Sequence, residues 1–149
     1  MAVDLKDLTM NDVLEALPLL VKSDFEGTYL YNLEIAEPDG VRVKNGKYWV
    51  KISSGHVESG EGHSDSPEAT TFTVNMGGLD TVLAFQVYGL EAATAAMIMG
   101  YIFTTNIKKA EAWFKILKIG IDPIREAMKA KGKELGNTHL PIFDELGMG

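Results

Sequence analysis

The chain reads as one α+β domain in which a sheet-forming half is followed by a helix-forming half. Three observations carry that reading. Its 149 residues are about one domain's worth of chain with no linker-like stretch. Apolar residues recur with period two in the runs between Thr28 and Val74, and after Gly77-Gly78 the period becomes helical. Hydrophobic residues make up 46% and charged residues 23%, with 15 Gly and 5 Pro, which is a globular composition and excludes a disordered or collagen-like chain. About two thirds of the unfolded surface can be buried at this length, so no staple is required. The absence of cysteine removes disulfides, thiolate metal sites and cysteine nucleophiles together.

The first element is a helix capped by Thr9 or Asn11, with Asp12 and Glu15 in its first turn, where negative charge meets the helix dipole. Val13, Leu14, Leu17, Leu20 and Val21 recur at helical spacing, and Pro18 is expected to kink or restart it. From Thr28, Tyr29, Tyr31, Leu33 and Ile35 alternate with Leu30, Asn32, Glu34 and Ala36, the pattern of a half-buried strand. Glu37-Pro38-Asp39-Gly40 has turn chemistry, and Asn45-Gly46 is a hairpin signal before a second strand, Lys47 to Ser53. The polar, Gly-rich stretch Gly55 to Ser66 suits a short edge strand or a loop, and Thr70, Phe72 and Val74 mark another strand. To this point the pattern predicts an antiparallel meander.

Beyond Gly77-Gly78, Leu79, Val82, Leu83 and Phe85 predict a short helix, and Glu91 to Met99 predicts a second that is apolar nearly all round. Gly100 stops it, and Tyr101 to Thr105 is a β-branched and aromatic run of strand length. Asn106 to Ile119 reads as an amphipathic helix. Ile107, Ala110, Trp113, Phe114, Ile116 and Leu117 form its apolar face, Lys108, Glu111, Lys115 and Lys118 share a polar stripe, and Gly120 ends it. Asp122-Pro123 opens a last helix to about Lys131. Residues 1–131 are therefore expected to form the domain. Residues 132–149 form a tail whose apolar cluster, Leu140 to Phe143, can dock on it.

Fourteen Lys and Arg against 21 Asp and Glu give a net charge of -7, which repels phosphate backbones, so no nucleic-acid partner is expected. The opening MAVDLKDLTM carries acids where a signal peptide has basic residues, and Ala92 to Ile107 is uncharged but too short and too polar for a spanning helix. The ending Gly147-Met148-Gly149 is not a peroxisomal address, and a cytoplasmic location is the expectation.

The segment Trp49 to Ile119 resembles the lipid-transfer domain of the sterol carrier protein two family. The strand Trp49 to Ser53 with its turn at Gly55 carries part of the likeness, and Thr71-Phe72-Thr73-Val74 followed by a short helix carries another. Its most specific part is Gly89-x10-Gly100 followed by a strand and an amphipathic helix; the family commonly has a second Gly where this chain has Asn106. The resemblance implies a five-stranded, mostly antiparallel sheet with helices on one face, enclosing an apolar tunnel for a fatty acid, acyl-CoA, sterol or phospholipid. It places Phe85, Leu90, Ala93, Ala96, Met97, Met99, Ile102, Phe114 and Leu117 along the tunnel, with Lys108 and Lys115 at the headgroup. The small Ala and adaptable Met side chains suit a promiscuous apolar pocket, and they equally suit an ordinary packed core.

His56, Glu58, Glu61, His63 and Asp65 are types that bind transition metals, but their spacing matches no metal motif, and a polar edge hairpin explains them as well. No Gly-x-Ser-x-Gly elbow and no phosphate-binding glycine loop occurs. The Lys stripe is an ordinary solvated face or a contact with anionic headgroups. The expected function is non-catalytic binding or transfer of an apolar ligand, with no cofactor or metal, lipid or acyl-CoA as partner, and transient contact with a membrane surface. The alternatives are a structural or regulatory subunit with a filled tunnel that binds a protein partner, and a metal-dependent enzyme built on the His56 to Asp65 loop.

Overall fold

A computed structural model describes residues 2–37, 40–44 and 46–148; Pro38, Asp39 and Asn45, on which the first turn and the hairpin signal partly rest, lie outside the described residues. The chain runs β1 (Ala2–Val3), a 3-10 turn (Leu5–Asp7), α1 (Met10–Leu20), β2 (Tyr29–Ile35), β3 (Lys47–Ser53), β4 (His56–Glu61) and β5 (Thr70–Val74). It continues through α2 (Gly78–Tyr88), α3 (Leu90–Ile98), β6 (Ile102–Thr104), α4 (Ile107–Ile116), α5 (Ile121–Ala130), β7 (Glu134–Leu135) and α6 (Pro141–Glu145).

Five strands form one sheet in the order β4-β3-β2-β5-β6. The β2–β3, β3–β4 and β5–β6 ladders are antiparallel, but β5 lies parallel to β2, with Tyr31 opposite Thr70 and Ile35 opposite Val74. The sheet is therefore mixed, which corrects the expected meander. After β4 the chain crosses to the far side of β2 instead of turning back beside its predecessor. The crossing is tied down by Asn32, whose Nδ2 donates to the Ser64 carbonyl at 3.1 Å while its Oδ1 accepts from the Ser64 N–H at 2.8 Å. His63 Nε2 donates to the Leu33 carbonyl at 3.0 Å. The alternation of β2 assigns Asn32 to the polar face of the sheet, and it is buried there because this strap lies over it.

The other face is the core face. Tyr31, Leu33 and Ile35 of β2, Tyr48, Val50 and Ile52 of β3, and Phe72 and Val74 of β5 are all buried under the helices, as period-two alternation requires. α1 starts on a capping box in which the Asp12 N–H donates to Thr9 Oγ1 and the Thr9 N–H to Asp12 Oδ2. It runs through Pro18 to Leu20 without restarting, since a proline this near the end removes only one late hydrogen bond. α4 ends at Ile116, earlier than expected. There the chain turns extended and Leu117 bridges Val21, with hydrogen bonds from the Lys22 N–H to the Ile116 carbonyl and from the Lys118 N–H to the Leu20 carbonyl. Gly120 then caps the start of α5 rather than the end of α4.

Two consecutive left-handed glycines, Gly77 and Gly78, turn the chain from β5 into α2. A Cβ on Gly78 would collide with the Glu37 carboxylate, whose Oε2 accepts from the Leu79 N–H at 3.3 Å and places negative charge at the N-terminus of α2. Residues 132–148 pack on the same core: β7 pairs with β1, and Leu140, Ile142, Phe143 and Leu146 are buried. The Phe143 ring meets Tyr88 of α2 edge-on at 5.0 Å.

Lys133, just before β7, reaches back to Asp12 with Nζ 2.5 Å from Oδ1. Burial by itself would raise the Asp12 pKa, but the hydrogen bonds from Lys133 and Thr9, with the Lys133 charge, outweigh it and hold the carboxyl below its ordinary value of 3.8. A depressed folded-state pKa contributes stability that is present above the unfolded-state value and lost as pH falls through the folded one. Asp12→Asn should therefore cost about 1 kcal/mol at pH 7, as loss of a helix cap does. The difference from the wild type should shrink below about pH 4, as checked by denaturant unfolding at pH 7 and pH 3.

Candidate functional site

The site is built from the core face of the sheet upward. Tyr31 of β2 stacks on Phe72 of β5 at 5.6 Å between ring centroids, and both meet Trp113 of α4 edge-on, at 5.1 Å and 5.9 Å. Each polar tip in this cluster has a partner: the Tyr31 hydroxyl donates to the Lys109 carbonyl at 2.7 Å and Trp113 Nε1 donates to Gln86 Oε1 at 2.7 Å. Burial, with Tyr29 nearby, pushes the Tyr31 hydroxyl far above the usual tyrosine range, so it stays protonated and a donor.

Beside this cluster lies an apolar cavity. Leu33, Ile35, Phe72 and Val74 form its floor, and Val82, Phe85 and Trp113 its roof. Its volume is about 20 Å³. That is room for about one water molecule, well short of the few hundred Å³ of a ligand pocket. The layer is closed, and a long chain can enter it only if something moves.

The helix beside α2 has an unusual construction. α3 turns Ala92, Ala93 and Ala96 into the core and leaves its large apolar side chains outside: Leu90 is 43% exposed, Met97 38% and Ile98 81%, followed by Met99 at 44%. A surface helix normally does the reverse. Glycines in left-handed or otherwise non-helical backbone bound it at both ends, Gly89 and Gly100.

The residues expected along a tunnel thus fall into distinct places. Phe85 borders the cavity and meets Phe114, half-buried, edge-on at 6.1 Å; Ala93, Ala96, Ile102 and Leu117 are buried. Leu90, Met97 and Met99 are on the surface. Ile107, assigned to the apolar face of α4, is 57% exposed, because it stands at the helix's first position, before the face turns inward. Lys108 and Lys115 are exposed. The sheet residues of the cavity were legible as the inward set of two alternating strands, but they were left out of the expected tunnel. Gln86 also carried a signal: it is the one polar residue inside the run Val82 to Val87, whose other members are all apolar.

A larger concavity, about 670 Å³, lies on the opposite face of the sheet, between the crossing strap and the residues Tyr29, Trp49 and Lys51. Trp49 lies across Gly60 of β4, where a Cβ would come within 2.6 Å of its Nε1. This hollow is open and carries Lys51 and Lys109 together with Glu58, Glu61 and Glu68, so its charges select no ligand sign. His56 Nε2 is 3.9 Å from Glu58 Oε1 at its margin, and among the described residues no three His, Asp or Glu side chains stand close enough to hold a metal ion. No described helix is long and apolar enough to cross a membrane. Compared with known proteins, the chain matches no family model and no curated protein.

The reversed orientation of α3 has a direct check. Ile98→Gln should change stability by no more than about 0.5 kcal/mol, as for an exposed position, whereas Ala96→Leu should cost about 1 to 3 kcal/mol by overpacking. Urea unfolding of the two variants measures both, and the opposite order would mean that α3 buries its large side chains.

Proposed function

We propose that this chain is a non-catalytic binding protein that takes the acyl chain of a lipid into the layer between its sheet and its helices, with α3 moving outward to admit it. The observation that carries the reading is α3 itself, held to the core by alanines while Leu90, Met97, Ile98 and Met99 face water. Burial of a large aliphatic side chain is worth about 1.5 to 3 kcal/mol, so an arrangement that leaves several outside has unused apolar surface on the helix packed against α2, whose Val82 and Phe85 roof the cavity. A ligand shifts such an equilibrium by binding the open form better than the closed one. Each buried methylene contributes about 0.8 kcal/mol, so a chain of ten or so offsets considerable loss of closed-state packing. The resemblance to the sterol carrier protein two family points the same way. Exposed Lys108 and Lys115 are available to an anionic headgroup or membrane surface, although the net charge of -7 opposes close approach.

The closed volume of about 20 Å³ favours a second reading, in which the interior stays filled and the same exposed side chains of α3 cover a protein partner, making the chain a structural or regulatory subunit. Titration with a fluorescent fatty acid, together with native mass spectrometry of the purified protein for carried lipid, separates the two. On the lipid reading the probe binds at micromolar concentration and Ala96→Trp, which wedges an indole between α3 and the core, weakens binding by at least tenfold, about 1.4 kcal/mol. Failure of fatty acids and acyl-CoAs of several chain lengths to bind would leave the subunit reading. Unchanged affinity in the folded Ala96→Trp protein would remove α3 from the mechanism.

A further inference from the structure

Gln86 is 2% exposed, and its side-chain Nε2 has no hydrogen-bond partner. The orientation of the amide is fixed by its neighbour. The indole N–H of Trp113 can only donate, so the atom it meets at 2.7 Å must be the Gln86 oxygen, and the NH2 group is left facing away from it. A buried donor without an acceptor has lost its hydration with nothing in return, and such groups call for a physical account. Thr104 Oγ1 is also buried and unpartnered, but a hydroxyl can rotate, and Thr104 is only half-buried on the edge strand β6. Gln86 lies within α2, and its backbone carbonyl is already engaged by the Gly120 N–H.

The two residues that connect Gln86 to the apolar cavity are Phe85, its neighbour in the chain, and Trp113, its hydrogen-bond partner; both form the cavity roof. A water in that cavity would find apolar walls and too few partners to hold it. Gln86 does not itself line the closed cavity, so an acceptor reaches its Nε2 from a ligand that enters the layer and displaces Phe85 or Trp113. A neutral amide in a dry interior suits a neutral oxygen, because an ionised carboxylate brought there with no cation beside it would lose far more hydration than one amide returns.

We infer that Gln86 is the polar anchor of the proposed acyl-binding site, donating from Nε2 to a neutral carbonyl oxygen, so that an acyl ester, thioester or amide binds more tightly than a bare hydrocarbon or an ionised fatty acid of the same length. This rests on the acyl-binding reading and narrows it. Trp113 is a positioning residue: its indole N–H holds the amide so that the donor is directed toward the ligand.

The test compares methyl laurate with dodecane, probes that differ mainly in the carbonyl, by displacement of a neutral fluorescent probe from wild type, from Gln86→Met and from the double variant Gln86→Met/Trp113→Phe, which leaves no orphaned indole. The wild type should prefer the ester by at least tenfold, and both variants should lose the preference while still binding dodecane. In the wild type, the nuclear magnetic resonance signals of the Gln86 side-chain amide protons should move downfield with the ester and stay in place with the alkane, a readout that needs no variant to fold. Equal affinity for the two probes in the wild type, a preference that survives in the folded variants, or amide signals indifferent to the ester would overturn the inference while the acyl-binding reading stands. If neither probe binds the wild type, both fall together.

Discussion

The interaction on which the rest of the structure depends is the contact of Tyr31, Phe72 and Trp113. It joins β2, β5 and α4 in one place, and through the Trp113 N–H it reaches α2 as well. Ring pairs in such geometries contribute about 0.5 to 1.5 kcal/mol beyond their buried area, but the greater consequence is positional. The Tyr31 hydroxyl fixes the first turn of α4 by its carbonyl at Lys109, and the indole fixes the side chain of Gln86. The cavity is the space left where the rings end and the aliphatic residues Leu33, Ile35, Val74 and Val82 take over. Removing Phe72 or Trp113 would enlarge that space, and removing Trp113 would also release the Gln86 amide, so at Trp113 packing and polarity are a single constraint.

The two faces of the sheet solve different problems. Among the described residues, the fully buried side-chain polar atoms without a hydrogen-bond partner are Gln86 Nε2 and Thr104 Oγ1. On the polar face of the sheet the strap from Gly62 to Ala69 supplies polar backbone and Asn32 satisfies it, which lets the chain cross between two strands without stranding carbonyls beneath it. The larger hollow on that side is a by-product of the crossing and carries charges of both signs. Volume alone would choose it as the binding site. The proposed lipid site is the smaller cavity instead, because its walls are uniformly apolar.

Much of the fold was legible because its signals are local. Thr9 and Asp12 mark the start of α1 by side-chain chemistry that needs no tertiary partner, and the alternation in β2, β3 and β5 follows from the pleat alone. What was not legible depends on distant residues. The alternation Thr70, Phe72, Val74 says that β5 is half-buried and is silent about its neighbour, which is chosen by the Asn32 to Ser64 hydrogen bonds. The end of α4 at Ile116 is set by Val21, almost a hundred positions away in the chain, as the bridge partner of Leu117. The orientation of α3 could not be read for a third reason. A helix apolar on all sides has no stripe to point inward, so the sequence left either face free to be buried, and the close approach to α2 selected the alanines. Leu90, Met97 and Met99 were consequently placed inside when they lie outside.

On the proposed reading, that choice of face is what would let a closed interior open to a ligand. On its own side α3 would uncover chiefly the methyl groups of Ala92, Ala93 and Ala96, some 2 to 3 kcal/mol at about 0.8 kcal/mol for each buried carbon, in addition to the surface of α2 and β6 that it covers. Lifting a helix packed through three leucines would uncover several times as many carbons. Gly89 and Gly100 both have positive φ, and the position of a Cβ on Gly100 has open space around it, whereas on Gly89 it would meet Ile119 at 3.1 Å. An opened α3 can also turn its leucine, isoleucine and methionines toward an incoming chain, converting surface that faces water in the closed state into lining in the open one. Small residues inward and large ones outward are thus a poor arrangement for a helix whose task ends at stability, and a suitable one for a helix that must leave the core cheaply and hold something else when it does.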